Sequence, residues 1–298
     1  MKIIDNTLGK KYLLMWRTES IFYNQQRRKL SEEWNMVRFT SLPFPSEPNL
    51  INSSLVKKLP YLNNSFDAIY SFHVFEHLSY DEGLFALKEM YRVMKPGAVC
   101  RISTPDLLFF SKEYIKQFEL YLANPEDKLQ SFRYYWASFN VIDQAVRKKS
   151  GGRMVEALKA FNIDRDYLKF VNGDSLNFLL DAGHHDQMPD SARKPAYFNG
   201  APASFTFRIK KIVYAFIRKV ILKISPLPNI EIHNERNRWL YDSVSLKKLY
   251  LEAGFVEIKV QDYNTSDIEG WERYNYDKST AGDYPLEPSL YMEGKKGV

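Results

Sequence analysis

His73-Val74-Phe75-Glu76-His77 matches the H-x-x-E-H spacing of a zinc-protease signature, whose chemistry is metal-assisted hydrolysis. That chemistry needs both histidines on one helical face and further ligands downstream. Here His73 follows directly on the apolar run FDAIYSF, which reads as a strand, so no metal site is expected. Arg147 with Ser150, Gly151 and Gly152 could build a basic loop for an anionic or sugar-like group. A plain loop between two helices explains the same glycines equally well. His233, Trp239 and Tyr241 bring rings with polar tips, which suit a sugar or pack one element on another. Gly183-His184-His185-Asp186 sets two histidines side by side with divergent directions, so a turn is expected. Cys100 is the only cysteine; within the strand-like VCRI it reads as a buried, inert thiol.

These residues need elements to hold them. KYLLMW (11–16) and WNMVRFT (34–40) read as the first two strands, and Pro43, Pro45 and Pro48 break the chain before 49–55. FDAIYSF (66–72), preceded by the turn residues Asn63, Asn64 and Ser65, reads as a buried parallel strand. Leu84, Leu87, Met90, Tyr91 and Met94 keep a helical spacing over 81–94, and Lys95-Pro96-Gly97 ends that helix before a strand over 98–103. Such alternation predicts a doubly wound, mostly parallel α/β sheet. The pattern turns mostly helical from 107 to 230, which reads as an insertion or cap dividing the α/β domain into 1–106 and 231–298. The ordinary signals return with a helix over 243–253, stopped by Gly254, then strands over 256–260 and 289–293.

At 298 residues, 45% apolar and 26% charged, the chain has the composition of a globular protein with a full core. A lone cysteine allows no internal disulfide, the opening residues carry too short an apolar stretch for a secretory signal, and no run approaches a membrane span. A cytoplasmic protein is expected. The net charge of +6 is local: no Asp or Glu occurs from Ser191 to Ile230, where eight Lys and Arg stand, so no nucleic-acid partner is expected. Within that stretch, FRIKKIVYAFIRKVILKI (207–224) alternates an apolar stripe with a basic face. It reads as a helix packed on its own domain, or as a peripheral contact with the anionic inner face of a membrane.

LPYLNNSFDAIYSFHVFEHL and EMYRVMKPGAVCRISTPDL resemble consecutive motifs of the type-11 class I S-adenosylmethionine-dependent methyltransferases. Asp143-Gln144-Ala145-Val146-Arg147 with Ser150-Gly151-Gly152, then His233 and Trp239-Leu240-Tyr241-Asp242 followed by SLKKLYLEAGF, resemble a bacterial subgroup associated with glycan and small-molecule pathways. The resemblance implies a Rossmann-like fold, S-adenosylmethionine as cofactor and a sugar or small-molecule acceptor. It places His73 at the carboxyl end of the central strand, where it could orient the cofactor or act as base on an acceptor hydroxyl. Glu76 and His77 would assist it, or merely cap and pack the following helix. Arg147, Gly151, Gly152, His233, Trp239 and Tyr241 would line the acceptor side.

The departures fall at the cofactor end. The family opens with a strand and a Gly-x-Gly loop through which bare backbone approaches the cofactor. Alignment instead puts Met15, Trp16, Arg17 and Thr18 in that loop, and Arg38 near the acidic ribose-binding position, where a guanidinium offers no acceptor. The adenine-side position falls near Ser54 and Leu55, and Phe72 and His73 close the pocket. Removing one oriented hydrogen bond from a buried site costs about 1–3 kcal/mol, against about 8 kcal/mol for micromolar binding. Two functions follow: methyl transfer to a hydroxyl of a sugar or small metabolite, or a pseudo-methyltransferase that has lost the cofactor and serves as a binding or protein-partner module.

Overall fold

The computed structural model describes residues 11–17, 34–40, 50–52, 56–148, 151–160, 163–174, 236–274, 276–279 and 282–298. Seven strands form one sheet: β1 (Lys11–Arg17), β2 (Trp34–Thr40), β3 (Leu50–Asn52), β4 (Phe66–Phe72), β5 (Met94–Pro105), β6 (Val256–Gln261) and β7 (Ser289–Lys295). Their order is β3-β2-β1-β4-β5-β7-β6. The first five run parallel, and β7 lies antiparallel between β5 and β6. The sheet is therefore the doubly wound, mostly parallel Rossmann-like fold expected of the sequence. β4 is buried on both faces, with Asp67 alone part-exposed, as its mainly apolar run requires.

One face of the sheet offers Leu14, Ile69, Cys100, Ile102 and Met292 to two helices. Helix α1 (Tyr80–Val93) is nucleated by a capping box, with Ser79 and Glu82 each satisfying the other's backbone N–H. It buries Gly83, Ala86, Leu87, Met90 and Val93 on one stripe. Between β5 and residue 174 the chain forms α2 (Leu107–Ala123), α3 (Lys128–Val141), the short α4 (Asp143–Val146), α5 (Gly152–Ala160) and α6 (Arg165–Asn172). Phe132, Trp136, Met154, Leu158, Leu168 and Val171 give these helices a core of their own. Helix α7 (Ser243–Ala253) returns to the sheet beside α1, and Gly254 ends it with a φ of 98° that favours glycine. The amphipathic segment 207–224 lies outside the described residues.

The opposite face, Leu13, Ala68, Tyr70, Phe72 and Val99, is covered by the long connection between β6 and β7, through Ile268, Trp271 in the short helix α8 (Trp271–Tyr274), Tyr276 and Leu286. Arg101, with no exposed surface, pins that connection. Its guanidinium donates to Asp277 at 2.7 Å, to Glu293 at 2.9 Å, and to the carbonyls of Thr265 and Asp262, both at 2.8 Å. Tyr70 Oη donates to the second Asp277 oxygen at 2.6 Å. The two carboxylates outweigh burial and push the Arg101 pKa up, so the cation stays charged inside the core.

Candidate functional site

β4 delivers His73 to the carboxyl edge of the sheet, where open α/β sheets place their ligands. Its backbone takes a left-handed φ of 50°, and its N–H donates to the Ser103 carbonyl at 2.9 Å. The imidazole stacks on Phe72 at 4.3 Å. Nε2 lies 2.7 Å from Ser289 Oγ, and Nδ1 lies 3.3 Å from Glu287 Oε2 and 3.6 Å from Glu76 Oε1. A single 3-10 turn (Phe75–His77) follows and turns Glu76 inward, leaving it 2% exposed.

Burial, reinforced by the nearby Glu287 charge, pushes the Glu76 pKa up to about 8, against the opposing pull of its own N–H and of Thr104 Oγ1 at 3.3 Å. At neutral pH Glu76 is thus mainly a neutral acid, placed between two imidazoles. The second is His77, whose Nε2 lies 4.0 Å from Glu76 Oε1. His77 Nδ1 donates to the Arg236 carbonyl at 3.1 Å, which sets the tautomer. Burial lowers the His77 pKa, the Arg236 bond opposes this, and the Arg147 charge lowers it further, so the ring stays neutral at pH 7. Two imidazoles, two carboxyls and a serine hydroxyl can therefore pass or hold a proton.

A short strap, residues 236–242, clamps this corner. Asn237 N donates to the Gln144 carbonyl, Arg238 N and Trp239 N both donate to the Glu76 carbonyl, and Leu107 N donates to the Tyr241 carbonyl. Arg147 reaches the cluster through its field on His77. Gly151 and Gly152 have φ of 72° and 51°, and a Cβ on Gly152 would run into the Asp143 carboxylate. That carboxylate accepts Arg153 N at 3.0 Å through each oxygen. The paired glycines thus have a local duty in starting α5. Trp239 is 41% exposed and meets Tyr80 edge-on, so it can face a ligand. Tyr241 cannot, because it has no exposed surface and sits under α1 beside Gly83. Its Oη has no hydrogen-bond partner among the described residues.

At the cofactor end, Met15, Trp16 and Arg17 are strand residues rather than loop residues; β1 continues to Arg17 because Trp16 pairs with Ser71 and Arg17 with Phe72. Arg38 lies two residues before the end of β2, paired with Met15 and Leu50. Ser54, Leu55 and His233 lie outside the described residues. Sequence reasoning missed Thr104, Glu287 and Ser289. The signal for Ser289 was present: a closing strand antiparallel to β5 must begin at the carboxyl edge, where Ser289 faces Pro105.

S-adenosylmethionine meets this geometry only in part. The carboxyl ends of β1 and β4 lie level, which is the crevice such a nucleoside takes in a doubly wound sheet. Ser71 Oγ, on the residue paired with Trp16, is buried without a hydrogen-bond partner among the described residues, as a wall awaiting a polar ligand would be. The position fits. The glycine cradle does not, for the sequence holds no glycine between Gly9 and Gly83.

Residues 25–102 match the family model described as "Methyltransferase domain", and the match begins beyond β1. The chain is thus similar to methyltransferases over that stretch, about a quarter of its length. Similar solved structures include a methyltransferase from Archaeoglobus fulgidus (11% identity, 97% of this chain and 87% of that one, TM-score 0.38). Another from Methanosarcina mazei shares 16% identity over 37% of this chain and 61% of that one, with TM-score 0.29. The [4+2]-cyclase SpnF shares 17% identity over 32% of this chain and 39% of that one, with TM-score 0.26. The chain thus spans less than two thirds of the last two. A search of curated proteins finds no match. Among the described residues, no group of three or more His, Cys, Asp or Glu could hold a metal ion, and no helix is long and apolar enough to cross a membrane.

Proposed function

We propose that this protein transfers a methyl group to a hydroxyl of a sugar or small metabolite, with His73 as the base. One observation carries the reading: His73 Nε2 already holds a hydroxyl, that of Ser289, at 2.7 Å, while carboxyl groups stand behind Nδ1. An acceptor hydroxyl displacing Ser289 would hand its proton to Nε2. Glu287 would stabilise the resulting imidazolium, and Glu76, neutral at pH 7, would hold the ring in place. When bound, S-adenosylmethionine supplies the electrophilic methyl group. The protein's share is then alignment and exclusion of water, both suited to a corner this buried. Trp239 and Arg147 support an oxygen-rich acceptor. Calorimetric titration with S-adenosylmethionine tests the reading, with submillimolar binding expected.

A second reading has its own observation. β1 is the central strand beside β4 and is followed by no glycine, so the backbone approach on which the cofactor relies is missing. In that case the protein is a pseudo-methyltransferase that keeps the acceptor corner and serves as a binding or protein-partner module. No heat of binding from folded protein would select it. A cytoplasmic place rests on the lone cysteine, and peripheral contact with the inner membrane face through 207–224 on the basic, acid-free composition of that stretch. A role in glycan biosynthesis rests on the motif resemblance.

A further inference from the structure

The same corner carries a constellation that needs no nucleoside donor. Ser289 Oγ stands 2.7 Å from one nitrogen of His73, and Glu287 Oε2 stands 3.3 Å from the other. A hydroxyl on one side of an imidazole and a carboxylate on the other is the arrangement that makes a serine nucleophilic, whatever the fold or chain order. Each member is fixed by a different device. The His73 ring is held by its stack on Phe72, and its backbone by the main-chain N–H donated to the Ser103 carbonyl. Ser289 is the first residue of β7, anchored in register opposite Pro105. The Glu287 carbonyl is a second acceptor for the Ser289 hydroxyl, at 3.1 Å beside His73 Nε2 at 2.7 Å, and it accepts Tyr291 Oη at 2.9 Å, which ties the turn before β7. The trio is also reachable: the His73 side chain is 14% exposed, that of Glu287 is 23% exposed, and Ser289 is half-buried.

We propose that Ser289 is a nucleophile for acyl transfer from small carboxylic esters, with His73 as its base and Glu287 orienting the ring. As the Oγ–carbonyl bond forms, the serine proton passes to His73 Nε2. The ester C–O bond then breaks, and the leaving alkoxide takes that proton. Water, or a second hydroxyl, next attacks the acyl-serine and gives its proton to the same nitrogen; the acyl C–Oγ bond breaks, Oγ takes that proton back from His73, and the acid, or the new ester, is released. Glu287 stays ionised throughout. This inference shares His73 with the methyl-transfer reading but does not depend on S-adenosylmethionine.

Treating the full chain with a fluorophosphonate probe tests it. One adduct is expected, mapped to Ser289 by peptide mass. It should be absent from Ser289→Ala and form at least tenfold more slowly in His73→Asn, with circular dichroism confirming that both variants fold. No adduct on folded wild type, or an adduct that persists unchanged in Ser289→Ala, overturns the proposal. The wild-type experiment decides even if a variant fails to fold. Because the probe reports on Ser289 alone, its outcome is separable from that of the cofactor titration.

Discussion

Glu76→Gln keeps the shape of the side chain and removes the proton that Glu76 trades. An unfolded glutamate ionises near 4.5, whereas burial and the Glu287 charge hold the folded one protonated up to about 8. The folded state therefore binds more protons across that window. The stability this proton gives is full below pH 4.5 and drains away as pH rises toward 8, by up to about 1.4 kcal/mol per pH unit. Between pH 6 and pH 8 the wild type should lose about 2 kcal/mol through this one group, and the glutamine variant should lose none of it. Urea unfolding followed by tryptophan fluorescence, run on both proteins at half-unit pH steps, gives the difference in stability at each pH. Effects common to both proteins, including titration of the histidines, largely cancel. The variant should gain on wild type steadily from pH 6 to pH 8. A difference that stays flat would mean that Glu76 is already ionised at neutral pH, and the proton-sharing picture of the site would fail.

Two further substitutions probe the scaffold. Arg101→Ala leaves Asp277 and Glu293 buried without their cation and should cost about 3–5 kcal/mol, read from the urea midpoint at unchanged slope. A cost below about 1 kcal/mol would mean that the connection between β6 and β7 is not pinned there. Gly152→Ala forces an alanine to a φ of 51° and against the Asp143 carboxylate. It should cost about 1–3 kcal/mol of stability through strain and loss of the start of α5, again read by urea unfolding.

The fold was legible wherever local pattern and burial agree. FDAIYSF, the α1 stripe, the 243–253 helix and the closing strands carry the periodicities that their neighbours enforce. His73, Glu76 and His77 were legible as a group because they are close in sequence. Glu287 carried no such signal and Ser289 only the indirect one of starting the closing strand, because the antiparallel pairing of β7 with β5 brings them across more than two hundred residues to His73. Trp239 and Tyr241 look alike on paper, yet the strap points one outward and buries the other under α1. KYLLMW signalled the strand as far as Trp16, but its extension to Arg17 had no local signal, since pairing with Phe72 sets it.

Isothermal titration of the folded protein with S-adenosylmethionine and S-adenosylhomocysteine bears most directly on methyl transfer at this sheet edge. Such transfer predicts saturable binding of both below millimolar concentration. Flat titrations from protein that unfolds cooperatively would contradict it and leave the acceptor corner without its donor.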